Sequence, residues 1–288
     1  MSQLKKIILI PNQKKDTELT LTRRVVEKLL SLGIAVWCNA ESAELAAMGV
    51  QRYSNPPTDA DAVVVIGGDG SVIDASEVSL ALDIPLLGIN LGKVGYLGAL
   101  DEEELDLLDR LRDGDYQIEE KLLLCAGKVG TDGSLVMCEH KAVNDVVVSH
   151  DNYFGISDFV LENSRGDKVK YRADGIIVST PVGSTAYSLS VGGPIVSHTL
   201  DSIAVTPICP HSFFDRTIIY GSGEEIIISN VGENSLNISV DGRYFSKLDT
   251  SEACVVYKSN KKFKTIVFSE NNMFSVLFKK IKLLDDKI

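Results

Sequence analysis

The stretch with the clearest capacity for chemistry is Val63-Val64-Val65-Ile66-Gly67-Gly68-Asp69-Gly70-Ser71. Four consecutive apolar residues, three of them β-branched, read as a strand buried on both faces. They end in three glycines interrupted by one carboxylate. Glycine lets a backbone turn tightly and approach a ligand closely, and the N–H groups of such a turn bind phosphate oxygens. Asp69 then stands beside a phosphate site, close to where a proton could be removed. The chemistry indicated is phosphoryl transfer onto a hydroxyl group. The alternative is a plain strand-to-helix turn with Asp69 as the helix N-cap. Two glycines preceding the carboxylate at the end of a buried strand favour the ligand-binding turn. It is neither a Walker loop, since no Gly-Lys-Ser/Thr follows, nor a G-x-G-x-x-G dinucleotide fingerprint.

Three further segments carry polar groups in places that need explaining. Gly88-Ile89-Asn90-Leu91-Gly92-Lys93-Val94-Gly95-Tyr96-Leu97 is a second glycine-rich turn after a buried strand, and Lys93 is a cation that could meet a phosphate or simply be solvated. Asn144-Asp145 interrupts an otherwise apolar strand, and polar groups placed there must be satisfied by neighbouring backbone or by a ligand. Tyr171-Arg172-Ala173-Asp174-Gly175 sets a charged pair before another buried strand. That strand runs into the hydroxyl-rich Gly183-Ser184-Thr185-Ala186-Tyr187-Ser188-Leu189-Ser190 and closes on Gly192-Gly193-Pro194. Small hydroxylated residues at a strand-to-helix junction offer donors and leave room for a flat ring. Arg172 neutralising Asp174, and Asp174 making a simple turn, are the plainer readings.

The elements positioning these residues change character along the chain. Strands are expected at Lys5–Ile10, Ile34–Cys38, Ala62–Ile66 and Ile84–Ile89. Helices fall between them, one from Leu19 to Leu32 stopped by Gly33 and one from Val72 to Leu82. Alternating strands and helices of this length predict right-handed βαβ units around a parallel sheet, with ligands beyond the carboxyl ends of its strands. After about residue 118, short β-rich runs follow one another at hairpin spacing, and only Ser184–Val191 looks helical. The expected division is an α/β domain over 1–118, a β-rich domain over 119–260 and an extension over 261–288. The run Phe274–Leu284 reads as a short amphipathic helix, and the extension is expected to pack back on the first domain.

Composition narrows the function classes. The chain has 288 residues, 44% hydrophobic and 24% charged, as in ordinary globular proteins, with room for two cores. No apolar run approaches the roughly 20 residues needed to span a bilayer. The N-terminus lacks the pattern of a signal peptide, so a cytoplasmic location is expected. Five scattered cysteines without a C-x-x-C pair argue for buried reduced thiols, and the four histidines show no metal-binding spacing. A net charge of −11 argues against nucleic-acid binding. Residues 101–120 hold ten acids and two bases, which reads as the solvated face of a helix around Leu105, Leu108 and Leu111.

Taken in order, these segments resemble the NAD kinases of the bacterial type. The matching pieces are Gly67-Gly68-Asp69-Gly70, Gly88 through Leu97, Asn144-Asp145, Arg172-Ala173-Asp174-Gly175 and Thr180-Pro181-Val182-Gly183-Ser184-Thr185-Ala186-Tyr187-Ser188. The first is shared with phosphofructokinases and diacylglycerol-type lipid kinases; the stretch from Asp174 to Ser190 singles out NAD kinases. The resemblance implies a fold of the NAD kinase/diacylglycerol kinase type, with a three-layer α/β domain on a parallel sheet, a β-rich C-terminal domain and the site in the cleft between them. It implies transfer of the ATP γ-phosphoryl group to the adenosine 2′-hydroxyl of NAD, with a divalent cation, Mg²⁺, in a homodimer or homotetramer. Asp69 would orient and deprotonate the hydroxyl. Gly70, Asn144, Asp145, Arg172, Asp174, Thr185, Ala186, Tyr187, Ser188, Leu189 and Ser190 would contact the dinucleotide. Two positions depart from the family pattern. Asp145 stands where glutamate is usual, and Arg243 stands where a less basic contact residue is expected, so it either favours a 2′-phosphate or is solvated. The metal ligands are not marked by any residue pattern. A glycine-Asp-glycine kinase acting on a sugar phosphate or lipid, a non-catalytic NAD(P) sensor, and an NAD-dependent oxidoreductase are the competing readings. The retained Asp69 weighs against the sensor, and the missing fingerprint against the oxidoreductase.

Overall fold

The computed structural model describes residues 3–39, 42–92, 95–150, 156–211 and 215–268. Lys93 and the run Phe274–Leu284 lie outside the described residues. The chain divides into two compact units, Met1–Glu120 with the segment from Phe263 onward, and Lys121–Lys262.

The first unit follows the strand–helix alternation. In chain order it runs β1 (Lys6–Pro11), α1 (Thr20–Ser31), β2 (Ala35–Cys38), α2 (Ala43–Ala47), β3 (Gln51–Arg52), β4 (Ala62–Gly67), α3 (Asp69–Leu82) and β5 (Leu86–Asn90). A 3₁₀ turn (Glu102–Leu108), α4 (Asp109–Asp113) and β6 (Gln117–Lys121) complete it. The acidic stretch is thus two short helical pieces and a strand, not one helix, with Leu105, Leu108 and Leu111 buried as the pattern required. The sheet order is β3-β2-β1-β4-β5, then the strand Phe263–Val267, then β6. Pairing is parallel from β3 to β5 and again where Thr265 meets Leu86. Every residue of β4 is buried, as expected of a strand covered on both faces. Ile7, Leu9, Val64 and Ile66 share one core with Leu21, Val25, Val26 and Leu29 of α1. Strand alternation turns Gly88 to the opposite face, where a Cβ on it would lie 3.1 Å from Val72 of α3. Helices therefore cover both faces, giving three layers. The strand order reverses between β1 and β4, so a crevice opens at their carboxyl ends, the usual ligand position in such sheets.

The second unit is all antiparallel. Its strands are β7 (Leu124–Val129), β8 (Leu135–Met137), β9 (Asp145–His150), β10 (Ser157–Asn163), β11 (Lys168–Ala173), β12 (Gly175–Ser179), β13 (Ser202–Ile208), β14 (Ile218–Gly221), β15 (Ile226–Asn230), β16 (Leu236–Val240), β17 (Arg243–Leu248) and β18 (Ala253–Lys258). A short 3₁₀ turn (Gly183–Thr185) and α5 (Tyr187–Ser190) follow β12. Two six-stranded sheets form, β11-β10-β15-β18-β7-β8 and β14-β13-β12-β9-β16-β17. Their facing residues make one core, with Val146, Val148, Ile176, Val178 and Ile238 from one sheet and Phe159, Leu161, Ile228 and Val256 from the other. On the reverse face of the second sheet, Val147, Ile177 and Ile208 form a separate small cluster with Val191. Alternation places Asp145 and Ser179 on that same reverse face.

Candidate active site

At the crevice of the parallel sheet, the glycine turn is shaped by close approach. A Cβ on Gly67 would lie 2.4 Å from the Ser71 hydroxyl, and a Cβ on Gly95 would lie 2.3 Å from the Asp69 carboxylate. Gly68 is the N-cap of α3, and the helix begins at Asp69, three residues earlier than its hydrophobic pattern predicts. Asp69 does not cap its own helix. Its carboxylate accepts hydrogen bonds from the backbone N–H of Leu97 (3.0 Å) and Tyr96 (3.1 Å). These two bonds, one to each oxygen, fix the orientation of the carboxylate. The location at the first turn of a helix favours negative charge there. Burial, then the Asp69 charge, push the Tyr96 phenol up. Gly70 is exposed, and a Cβ on it would meet no protein atom within 4 Å.

Two residues at the end of β1 complete this crevice, and motif reading did not find them. The Asn12 side-chain amide donates to the Ser71 hydroxyl at 2.8 Å, and the ammonium of Lys15 lies 3.7 Å from where a Cβ on Gly68 would be. The signal that points to them is topological: the switch point of a sheet involves the end of its first strand as well as the glycine turn.

In the β unit, Asn144 is not inside a strand but at the corner that enters β9. The backbone N–H groups of Val143, Asn144 and Asp145 all donate to the Asp241 carboxylate, at 2.8, 2.8 and 3.1 Å. That carboxylate is fully buried and also meets His140 Nε2 at 3.2 Å. Asp241 and Gly242, with φ of 49° and 77°, turn the β16–β17 hairpin, for which an Asp-Gly pair is suited. From the other side, Thr180 N–H donates to the Asn144 carbonyl at 2.9 Å, and the Thr180 hydroxyl to the Val143 carbonyl at 2.7 Å. Gly183 comes so close that a Cβ on it would lie 2.0 Å from the Asn144 oxygen. The corner is clamped on both sides. The Asp145 carboxylate, only 5% exposed, accepts no hydrogen bond among the described residues. Burial, then the charge of Asp241, push its carboxyl up to about 7. Opposite it in register, the Ser179 hydroxyl is buried without a hydrogen-bond partner among the described residues.

The other residues singled out in the sequence divide into two groups. The phenol of Tyr187 is pushed up by burial and then by Cys209, Asp145 and Asp174, although in register those two aspartates lie at opposite ends of the β9–β12 pair. Thr185 and Ser188 are buried, and their hydroxyls are engaged by the protein: Thr185 donates to the Val182 carbonyl at 3.0 Å, and Ser188 bonds Thr206 at 3.0 Å. The hydroxyl-rich segment therefore braces its own turn, and the side chains it shows outward are Tyr187 and Ser190, with Ala186 and Leu189 half-buried. Arg172 is exposed on the edge strand β11 and forms no ion pair with Asp174, so neutralisation of that aspartate is not its role. Arg243 is exposed at the start of β17, beside the hairpin that carries Asp241.

A doubly covered parallel sheet with a carboxylate-bearing glycine turn at its switch point, followed in the same chain by an antiparallel β unit, defines a phosphotransferase of the glycine-Asp-glycine class. Sequence models of two domains match the chain: ATP-NAD kinase N-terminal domain over residues 7–116 and ATP-NAD kinase C-terminal domain over residues 143–268. An NAD kinase of Thermoanaerobacter sp. (strain X514) is 34% identical over 284 residues, covering 96% of this chain and 99% of that one. An NAD kinase of Lachnospira eligens is 37% identical over 276 residues, covering 92% and 89%. Among solved structures, yeast NADH kinase complexed with NADH superposes with a TM-score of 0.82 at 21% identity, over 96% of this chain and 87% of that one. An NAD kinase from Archaeoglobus fulgidus in complex with ATP gives 0.72 at 23% identity, over 96% and 98%. The chain belongs to the NAD kinase family.

Proposed function

We propose that this protein transfers the γ-phosphoryl group of ATP to the adenosine 2′-hydroxyl of NAD, making NADP and ADP. The observation that carries the reading is the Asp69 carboxylate, clamped by two backbone N–H groups at the switch point of the sheet. The hydroxyl donates to the Asp69 carboxylate and is held in line with the γ-phosphorus. As the new O–P bond forms and the bond to the ADP oxygen breaks, the proton passes to Asp69 and on to solvent. A carboxylate is a far weaker base than an alkoxide, so proton transfer accompanies attack, and positioning supplies most of the rate. Lys15 is the cation at the glycine turn suited to the donor's phosphates. Asn144, Asp145, Asp174 and Tyr187 are assigned to the dinucleotide, as are Gly70, Arg172, Thr185, Ala186, Ser188, Leu189, Ser190 and Arg243. Asp145, buried without a donor, fits an acceptor for a ligand hydroxyl.

Among the described residues no group of three His, Cys, Asp or Glu side chains is arranged to hold a metal. Mg²⁺ is commonly held by substrate phosphates with one or two carboxylates. When bound, it spreads the phosphate charge. We assign the protein to the cytoplasm and to a homodimer or homotetramer; no described helix is long and apolar enough to cross a membrane. The edge strands β8 and β17 expose Leu135, Val136 and Tyr244, apolar surface that a second copy could cover. The test is NADP formation from NAD and MgATP, with NADH, fructose 6-phosphate and diacylglycerol as alternative acceptors. Dinucleotide binding without turnover, or turnover of another acceptor alone, overturns the reading.

A further inference from the structure

We propose that Asn90 is a positioning residue for phosphoryl transfer: its buried amide ties down the loop whose N–H groups hold the Asp69 carboxylate. The proposal rests on the reading of Asp69 given above. Asn90 ends β5, pairs in register with Gly67 of the glycine turn and is only 4% exposed. Both ends of its amide are used. Nδ2 donates to Asp101 Oδ1 at 2.9 Å, and Oδ1 accepts the backbone N–H of Gly95 at 3.1 Å. This pairing fixes the orientation of the amide, since the flipped form would set its NH₂ against the Gly95 N–H and its oxygen against a carboxylate.

Tyr96 and Leu97, the next two residues after Gly95, are those that donate to Asp69. Asn90 and Asp69 thus grip the same short loop at adjacent peptide groups. The glycines record how tightly. A Cβ on Gly95 would lie 2.6 Å from Asn90 Oδ1 as well as against Asp69, and a Cβ on Gly98 would lie 2.2 Å from Asn90 Oδ1. At the far end, Asp101 caps the 3₁₀ turn Glu102–Leu108, with its own N–H bonded to Glu104 at 2.9 Å. A continuous set of contacts runs from that cap through Asp101, Asn90 and the loop to the carboxylate that meets the substrate. Without the amide, the loop would have to hold its N–H pair in place while the Gly95 N–H sought another partner, and misplacement by about 1 Å can cost 10²-fold in rate.

The test is steady-state kinetics per folded molecule, with melting temperature measured alongside. Asn90→Leu is expected to lower kcat about 10- to 100-fold with KM for NAD within about twofold. In an Asp69→Asn background the same change is expected to cost less than about threefold, because a residue acting through Asp69 has nothing left to position. A merely structural role would produce the same loss in both backgrounds, and that result overturns the proposal. A second variant guards against misfolding. Asn90→Asp alone faces two carboxylates toward each other, whereas Asn90→Asp with Asp101→Asn restores one donor and one acceptor while an amide still caps the following turn. The pair is expected to recover kcat to within about threefold of the wild type, and recovery of melting temperature without kcat overturns the proposal. Full activity in Asp69→Asn overturns the reading of Asp69 and this proposal together. Loss there with full activity in Asn90→Leu overturns the role of Asn90 alone.

Discussion

The turn at Asp69 and the corner at Asn144-Asp145 use the same interaction in opposite ways. At the turn, the N–H groups of Tyr96 and Leu97 hold the carboxylate proposed to act on substrate. At the corner, three consecutive N–H groups are held by a different carboxylate, Asp241, and Asp145 itself receives no donor among the described residues. The first arrangement fixes the working group directly. The second fixes the backbone and leaves the polar side chain beside it unsatisfied, which is costly unless a ligand completes it. In the proposed reading, the first site is preorganised for a proton and the second accepts ligand hydroxyls.

Removing Asp241 should break the comparison most severely. Asp241→Ala strands three backbone N–H groups in a buried place, so a loss on the order of 3–5 kcal/mol in unfolding free energy is expected. Gly183→Ala attacks the same corner sterically, since its Cβ would overlap the Asn144 carbonyl. Chemical denaturation checks both, and a midpoint like the wild type in Asp241→Ala would mean that the corner holds itself. The effect expected at the turn is of a different kind. Asp69→Asn should keep NAD binding and lose about 10²-fold or more in kcat, the scale of a general base. Dinucleotide titration beside steady-state rates separates the two, and near-normal turnover would remove Asp69 from the mechanism.

The protonation of Asp145 sharpens the contrast. Its carboxyl is raised by burial and by Asp241 to about 7, above its ordinary value of 3.8. A group whose folded-state pKa is raised contributes stability that is fully present below the unfolded value and is lost as pH rises through the folded one. This contribution therefore declines from about pH 4 to about pH 7 and is flat above. Asp145→Asn cannot titrate, so its stability relative to the wild type should improve by on the order of 2 kcal/mol between pH 5 and pH 8. Melting temperatures across that range report the trend; a pH-independent difference would show that Asp145 is not the buried acid described here. The same variant is expected to weaken NAD binding at pH 8, where the lost carboxylate is the better acceptor.

What the sequence made legible follows burial. The strands read correctly, such as Ala62–Gly67 and Gly175–Ser179, are buried along their whole length, so their apolar runs are plain. Four strands that the pattern missed, Gln51–Arg52, Gln117–Lys121, Ile218–Gly221 and Arg243–Leu248, all lie at sheet edges. An edge strand faces solvent and tolerates charge, so Gln-Ile-Glu-Glu-Lys carries no two-residue alternation to find. The missed strand Phe263–Val267 is internal, but it joins the first sheet from across the whole β unit, a pairing that local pattern does not encode. The candidate site shows the same limit. Asp69 and Asn144-Asp145 stand out locally, whereas Asp241 and Lys15 matter through contacts with residues 96 and 53 positions away, Asp241 with Asp145 and Lys15 with Gly68.

The mildest change separates architecture from ligand contact. A Cβ on Gly70 would meet no protein atom within 4 Å, unlike one on Gly183 or Gly95. Gly70 lies in the first turn of α3 with no positive φ, so alanine there suits the helix and should hold or raise stability by up to about 1 kcal/mol. If the dinucleotide approaches this backbone as proposed, the added methyl occupies space meant for it, and KM for NAD should rise several-fold while kcat changes less. A KM equal to the wild type in Gly70→Ala would place the dinucleotide away from the glycine turn. That outcome would leave Asp69 a clamped carboxylate with no hydroxyl to receive, and the contrast between the two sites would lose its chemical meaning.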